Sequence, residues 1–221
     1  MLAGALASAI SSSALAADAR GGASYVVSHF EVLQGESAQV AVVTKQYALA
    51  ARGEPGALAV EAYQEIARPG RFVLLEQWRD KEAADAHDKA AAAFQQGLAP
   101  LMISDFGKRV HSAFRVGPSA AQPARGAVTV LTHLDVFAPG AEQEAALVTA
   151  QAEAARKDAG NLRFDVLRWD GHPNHFTLVE VWRDPQARLA ATALPHNREF
   201  RRRSTPLEGA PYDDRLYRRL E

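Results

Sequence analysis

The chain has 221 residues, Lys+Arg 25 against Asp+Glu 26, and a net charge of -1, so it carries no overall field to attract nucleic acid or an anionic membrane. With no cysteine, disulfides, thiolate nucleophiles and Cys-ligated zinc or iron–sulfur centres are excluded. At 48% hydrophobic and 23% charged, the composition is that of a globular protein with room for two domains of about 100 residues.

Met1 to Ala17 is Ala/Ser/Leu-rich, has no charge before Asp18, and contains the small-x-small cleavage pattern Ala14-Leu15-Ala16. Residues 1–22 therefore read as an export-type leader or a disordered tail, which implies a periplasmic or secreted protein. No Lys or Arg precedes the apolar stretch, so a cytoplasmic location is the alternative. The stretch is too short and too Ser-rich to span a membrane, and no later segment is a candidate.

A first domain is expected over 23–117. Tyr25 to Leu33 reads as a strand. Glu36 to Arg52 reads as a helix with Val40, Val43, Tyr47 and Ala51 on its buried face, ended by Gly53. Leu58 to Gln64 and Phe72 to Trp78 read as strands joined around Arg68-Pro69-Gly70. Asp80 caps a second helix running to about Gln96, and a last strand follows near Phe106 to Val116. Residues 118–126, with Pro118 to Arg125, form a linker. The second domain, 127–221, repeats the pattern: strand Ala127 to Phe137, helix Ala141 to Lys157, strands Leu162 to Trp169 and His175 to Trp182, a helix opened by Asp184-Pro185, and a final strand Tyr212 to Arg219.

The two halves are copies. Phe72 to Asp80 matches Phe176 to Asp184 at six of nine positions, 104 residues apart, and the same offset carries His29 onto His133, Gly56 onto Gly160 and Leu58 onto Leu162. The order β-α-β-β-α-β, twice, gives the fold class: α+β, tandem ferredoxin-like modules. A four-stranded sheet with helices on one face leaves the other face bare, so the two sheets are expected to pack as an α+β barrel within one chain. Strand swapping between chains, or a homodimer, is the further option.

No metal motif, P-loop, dinucleotide loop or nucleophile elbow is present, so chemistry falls to scattered polar residues. Alternation puts Phe72, Leu74, Glu76 and Trp78 on one strand face, and Phe176, Leu178, Glu180 and Trp182 on the equivalent one. Each glutamate is either a pocket carboxylate or a structural one paired with an arginine or a backbone donor. His29 and His133 are read either as a base or donor in a pocket, or as satisfied inward histidines. His87 lies on a helix face with Ala83, Ala90 and Phe94; Ala191 takes its place in the second copy, where His196 follows Pro195 instead. His111, His172 and His175 read as surface or turn residues, and Trp169 as core or pocket lining.

The strand Phe-x-Leu-x-Glu-x-Trp followed by an Asp-started helix containing His, as in Phe72 to His87, resembles the antibiotic biosynthesis monooxygenase (ABM) superfamily. Gly160 to Leu167, Pro195-His196 and Tyr212 to Tyr217 also resemble it. The resemblance runs from Tyr25 onward in two copies. It implies cofactor-independent oxidation of a small phenolic or quinol substrate, with the substrate's own electrons activating O2 and no cofactor or metal. The candidate catalytic residues are then His29, Glu76, His87, His133, Glu180 and His196, and the candidate substrate-binding residues Phe72, Trp78, Phe176 and Trp182. The haem-degrading branch uses a strand Asn and a helix Trp–His pair; those positions hold His29 or His133, and His87 with Gly97 or Ala191 with Arg201, so its triad is absent. A non-catalytic small-molecule-binding barrel is the alternative.

Overall fold

In the computed structural model, which describes residues 22–117 and 126–221, each half of the chain forms the expected β-α-β-β-α-β unit. The expected leader, apart from Gly22, and the expected linker, apart from Gly126, lie outside the described residues. Module one contains β1 (Ser24–Glu31), α1 (Ser37–Ala51), β2 (Ala57–Glu65), β3 (Arg71–Trp78), α2 (Lys81–Leu98) and β4 (Gly107–Arg115). Module two contains β5 (Val128–Asp135), α3 (Ala141–Ala155), β6 (Asn161–Trp169), β7 (His175–Trp182), α4 (Pro185–Thr192), α5 (Pro195–Ser204) and β8 (Asp213–Arg219).

The second helix of each module starts where an aspartate can cap it. Asp80 accepts from the Ala83 N–H at 2.8 Å, and Asp184 from the Ala187 N–H at 2.7 Å. Module two breaks what is one helix in module one. Pro195 has no N–H to donate to the preceding turn, so it opens a new helix, α5, at its first position. The buried face of α1 differs from the expected one: Val40, Thr44, Ala48 and Ala51 are buried, Tyr47 is half-buried, and Val43 is 38% exposed. The Ala/Val-rich segment is apolar nearly all round, so its periodicity does not select a face.

The eight strands close in the order β1-β3-β2-β8-β5-β7-β6-β4. Within each module the first strand pairs with the third and the fourth. The last strand of each module then pairs with the second strand of the other, β4 with β6 and β8 with β2. Closure, from two modules carried in one chain, removes all four sheet edges. The last strands also exchange packing. Phe114 of β4 packs in the helix-side core of module two, and Leu220, just after β8, in that of module one.

Alternate residues therefore face two different interiors. Val26, Leu74 and Trp78 pack outward under the helices of module one, with Ala48, Ala51 and Ala83. Tyr25, Val27, Tyr63, Val73, Leu75, Leu131, Leu167, Val179 and Tyr217 point inward and fill the middle of the barrel from both modules. At one end of the lumen Arg163 bonds Glu61 across the module boundary at 2.9 Å and Asp165 at 2.5 Å. The other end is open and holds a cavity.

The glycine shared by the two copies has a structural reason. Gly56 and Gly160 have φ of 87° and 89°, and a Cβ on either would sit 2.6 Å from the Cβ of Ala83 or Ala187. Both positions carry the left-handed turn that sets the second helix against its sheet. Gly160→Ala is expected to lower stability by about 2 kcal/mol or more, from the left-handed backbone and the collision together. Urea unfolding checks this; a change under about 0.5 kcal/mol, the range of inert surface substitutions, would contradict it.

Candidate functional site

Glu76 and Glu180 lie where alternation put them, on the helix side of β3 and β7, and are 3% and 5% exposed. Each is met by the tryptophan two residues on. The Trp78 indole N–H donates to Glu76 Oε2 at 3.0 Å, and the Trp182 N–H to Glu180 Oε2 at 2.8 Å. Phe72 and Phe176 are buried on the same faces. Beyond this shared pair the modules diverge.

In module one, α2 brings His87 over the strand pair. Its ring stacks on Trp78 at 4.4 Å between centroids and is 2% exposed. Nδ1 is 2.8 Å from Glu54 Oε2, while Nε2 is 2.6 Å from the Tyr47 hydroxyl and 3.5 Å from Glu76 Oε2. Burial works against the charged imidazolium, but hydrogen bonds and charge from Glu76 and then Glu54 outweigh it, so the pKa of His87 is raised above its ordinary 6.5. Burial, reinforced by Glu76, Glu54 and Asp88, pushes the Tyr47 phenol far above its usual range, so it stays protonated. Only Tyr47 and Glu54 carry this cluster toward solvent: both are half-buried, and the Glu54 side chain is 33% exposed. A histidine with a carboxylate on Nδ1 presents its lone pair at Nε2, here toward a phenolic O–H. Such a group can take up a proton relayed through the phenol.

Module two keeps the strand carboxylate and changes its partner. Ala191 stands at the His87 position, and Arg188, three residues earlier on the same helix face, comes within 3.7 Å of Glu180 and bonds Asp214 at 2.9 Å. Burial raises the pKa of Glu180, opposed by Arg188 and by the Trp182 hydrogen bond. His196 lies on α5 with Nε2 3.2 Å from Asp158, the counterpart of Glu54. Both helix histidines thus approach the acid at the same turn, but only His87 also reaches the strand glutamate. The sequence reading missed Arg188 and Asp214. The signal was a charged residue between Ala187 and Ala191 on a helix face otherwise made of alanine.

His29 and His133 do not join these clusters. They sit on the opposite, inward faces of β1 and β5, with ring centroids 6.0 Å apart across the lumen. Of the candidate catalytic residues, Glu76 and His29, and likewise Glu180 and His133, are therefore separated by the thickness of the sheet. Burial and the Arg109 charge lower the pKa of His29 and take that of His133 down to about 3. His111, expected at the surface, is 1% exposed and is a third lumen histidine. Its Nε2 is 2.9 Å from Thr177 Oγ1, which also lies 3.1 Å from His133 Nδ1. Burial brings the His111 pKa to about 4. Its strand position, two residues after Arg109, makes it inward once β4 closes the barrel. His175 lies 2.9 Å from Asp135, and the His172 ring is tilted against that of Trp169 at 4.1 Å between centroids, with Arg109 over the Trp169 ring. The lumen cavity has a volume of about 580 Å³; its walls include His29, His133, Arg109, Val73, Leu131 and Tyr217. Among the described residues no group of three or more His, Asp or Glu is arranged to hold a metal ion, and no helix is long and apolar enough to cross a membrane.

No curated protein sequence matches the chain. Among solved structures, a "Putative monooxygenase" from Fusobacterium nucleatum superposes with a TM-score of 0.80 at 17% identity, covering 91% of this chain and 94% of its own. An anthrone oxidase-like protein gives 0.74 at 13%, covering 92% and 93%. A staphylococcal regulator of pathogenesis gives 0.56 at 7%, covering 87% and 98%. At these identities the likeness is one of fold, and it extends to proteins with different described roles. The family model for "Antibiotic biosynthesis monooxygenase" matches twice, over residues 23–97 and 127–203. On those two matches, together with the closed barrel of paired modules, the chain belongs to the antibiotic biosynthesis monooxygenase family.

Proposed function

We propose that the chain is a cofactor-independent oxygenase of the ABM type, oxidising a small phenolic or quinol substrate with O2, and that its reacting groups are Tyr47, Glu54, Glu76 and His87 of module one. The observation that carries this reading is His87 held between two carboxylates, with Nε2 2.6 Å from a half-buried tyrosine hydroxyl. Neutral His87 accepts the Tyr47 proton as Tyr47 accepts that of the substrate, and Glu54 and Glu76 stabilise the imidazolium that forms. The electron-rich substrate anion then reduces O2. For an anthrone, the ring CH2 loses two hydrogens and gains one oxygen atom, and the second oxygen leaves as water. Trp78 backs the histidine and fixes the plane of its ring.

In this reading module two is the structural partner, since Arg188 lies against Glu180 while bonding Asp214, and no histidine among the described residues reaches Glu180. That closed ion network is also the observation favouring the second reading, a non-catalytic binding barrel. Oxygen uptake by purified, metal-free protein against hydroquinones, naphthols and anthrones separates the two. Saturable uptake with quinone formation above autoxidation is the expected result. No uptake by a folded sample across the panel would favour the binding barrel.

A further inference from the structure

The open end of the barrel lumen holds a cavity that the His87 cluster does not use. It is formed by the C-terminal ends of β1 and β5, the N-terminal ends of β3, β4 and β8, and residues 210–212. Its charged lining is almost fully paired. Glu31 is bonded by Arg68 and Arg71, Asp135 lies against His175, and Asp213 is bonded by Arg215. Arg71 and Arg215 also approach Glu65.

Arg109 differs. No carboxylate pairs with it among the described residues, and its guanidinium lies 4.7 Å over the Trp169 ring. Its charge instead falls on the lumen histidines, where it lowers the pKa of His29, His111 and His133. A half-buried cation among neutral imidazoles is an arrangement that an incoming anion would stabilise and a metal cation would not. His29 Nδ1 is buried with no hydrogen-bond partner among the described residues. The other edge of that ring is held over Gly107, where a Cβ would fall 2.5 Å from Nε2.

Divergence between the copies points the same way. Arg109 faces Val27 as Arg215 faces Leu131, and Gly107 faces His29 as Asp213 faces His133, so module one keeps the arginine but has glycine where module two has the carboxylate that pairs with it. The apolar part of the wall includes Val73, Leu131 and Tyr217. A cavity of about 580 Å³ is of the size that ligand sites have.

We propose that this lumen cavity is a binding site for a small, flat organic anion, an aromatic carboxylate. Its carboxylate pairs with the fork of Arg109 and accepts from the neutral imidazole of His29, and its ring lies against Leu131 and Tyr217. A planar guanidinium matches a carboxylate with two parallel hydrogen bonds, which a spherical ion would not use. The site lies across the sheet from His87 and does not depend on the proposed oxygenase chemistry.

The probe is 2-naphthoate, with the neutral isostere 2-naphthamide as its control, titrated calorimetrically into the whole chain at pH 7.5. Saturable binding of the naphthoate, about 10-fold or more tighter than the amide, is expected, with Arg109→Gln abolishing the preference and His87→Gln leaving it. The His29 and His133 imidazole NMR signals of the unsubstituted protein are expected to move on naphthoate addition, a readout that needs no variant to fold. Equal affinity for acid and amide, unmoved imidazole signals, or a preference that survives in folded Arg109→Gln would each overturn the proposal.

Discussion

His87→Gln is expected to lower oxygen uptake on an accepted substrate by about 100-fold or more, the usual scale for losing a positioned general base. Glutamine preserves much of the side-chain volume above Trp78 and can still bond Glu54, so the fold should tolerate it. The pH profile carries more information than the loss itself. The working form of His87 is neutral, with its lone pair at Nε2 toward Tyr47. Hydrogen bonds and charge from Glu76 and Glu54 overcome burial and raise its pKa above 6.5, so turnover should rise with pH along a limb centred above that value. Glu54→Gln removes one of the two negative charges, lowers the pKa and moves the limb to lower pH, while reducing the plateau because the imidazolium is less stabilised. A limb that stays fixed in Glu54→Gln, or normal uptake in His87→Gln, would remove this cluster from the mechanism.

The lumen histidines predict a large effect on stability. His133 is held neutral by burial, with a pKa of about 3 against 6.5 for the free side chain. A histidine whose folded pKa is lowered contributes stability that is complete above the unfolded value and lost as pH falls below it. Each proton taken up on unfolding costs about 1.4 kcal/mol per pH unit. Between pH 7 and pH 4 the wild type should therefore lose about 3 kcal/mol relative to His133→Asn, which does not titrate. The difference between the two proteins is the quantity to measure, by urea midpoints at each pH. Buried carboxylates act in the opposite direction in both proteins, Glu144 for instance with its pKa raised to about 6 by burial, and they cancel in the comparison. A pH-independent difference would mean that His133 is hydrated enough to titrate normally. His111, at about 4, adds to the same acid sensitivity.

The candidate site was partly legible before folding. Phe-x-Leu-x-Glu-x-Trp announced a strand face holding a buried carboxylate, and both glutamates are there with the tryptophan N–H bonded to each. His87 stood out as a polar residue on an alanine-rich helix face, and the corresponding helix of module two held Arg188, which went unread. Glu54 was invisible because it lies in a turn, where no periodicity marks a residue. Its role arises only because Gly56, in its left-handed conformation, folds that turn beneath α2.

What the sequence determined by itself is therefore local and repeated: the duplication, the element order, the aspartate caps, the shared glycine, and which strand residues share a face. These follow from backbone geometry within a few residues, and such preferences act on the chain before any distant contact forms. The tertiary structure decided what each face meets. Alternation separates His29 from Phe30, but it does not say that one looks into a barrel and the other under helices. That depended on β4 and β8 crossing to the opposite module, which also buried His111 and left Arg109 facing three neutral histidines. Pairing between strands far apart in the chain is set by closing the sheet's last edges and burying both inner faces at once, a condition on the whole chain that no single segment contains.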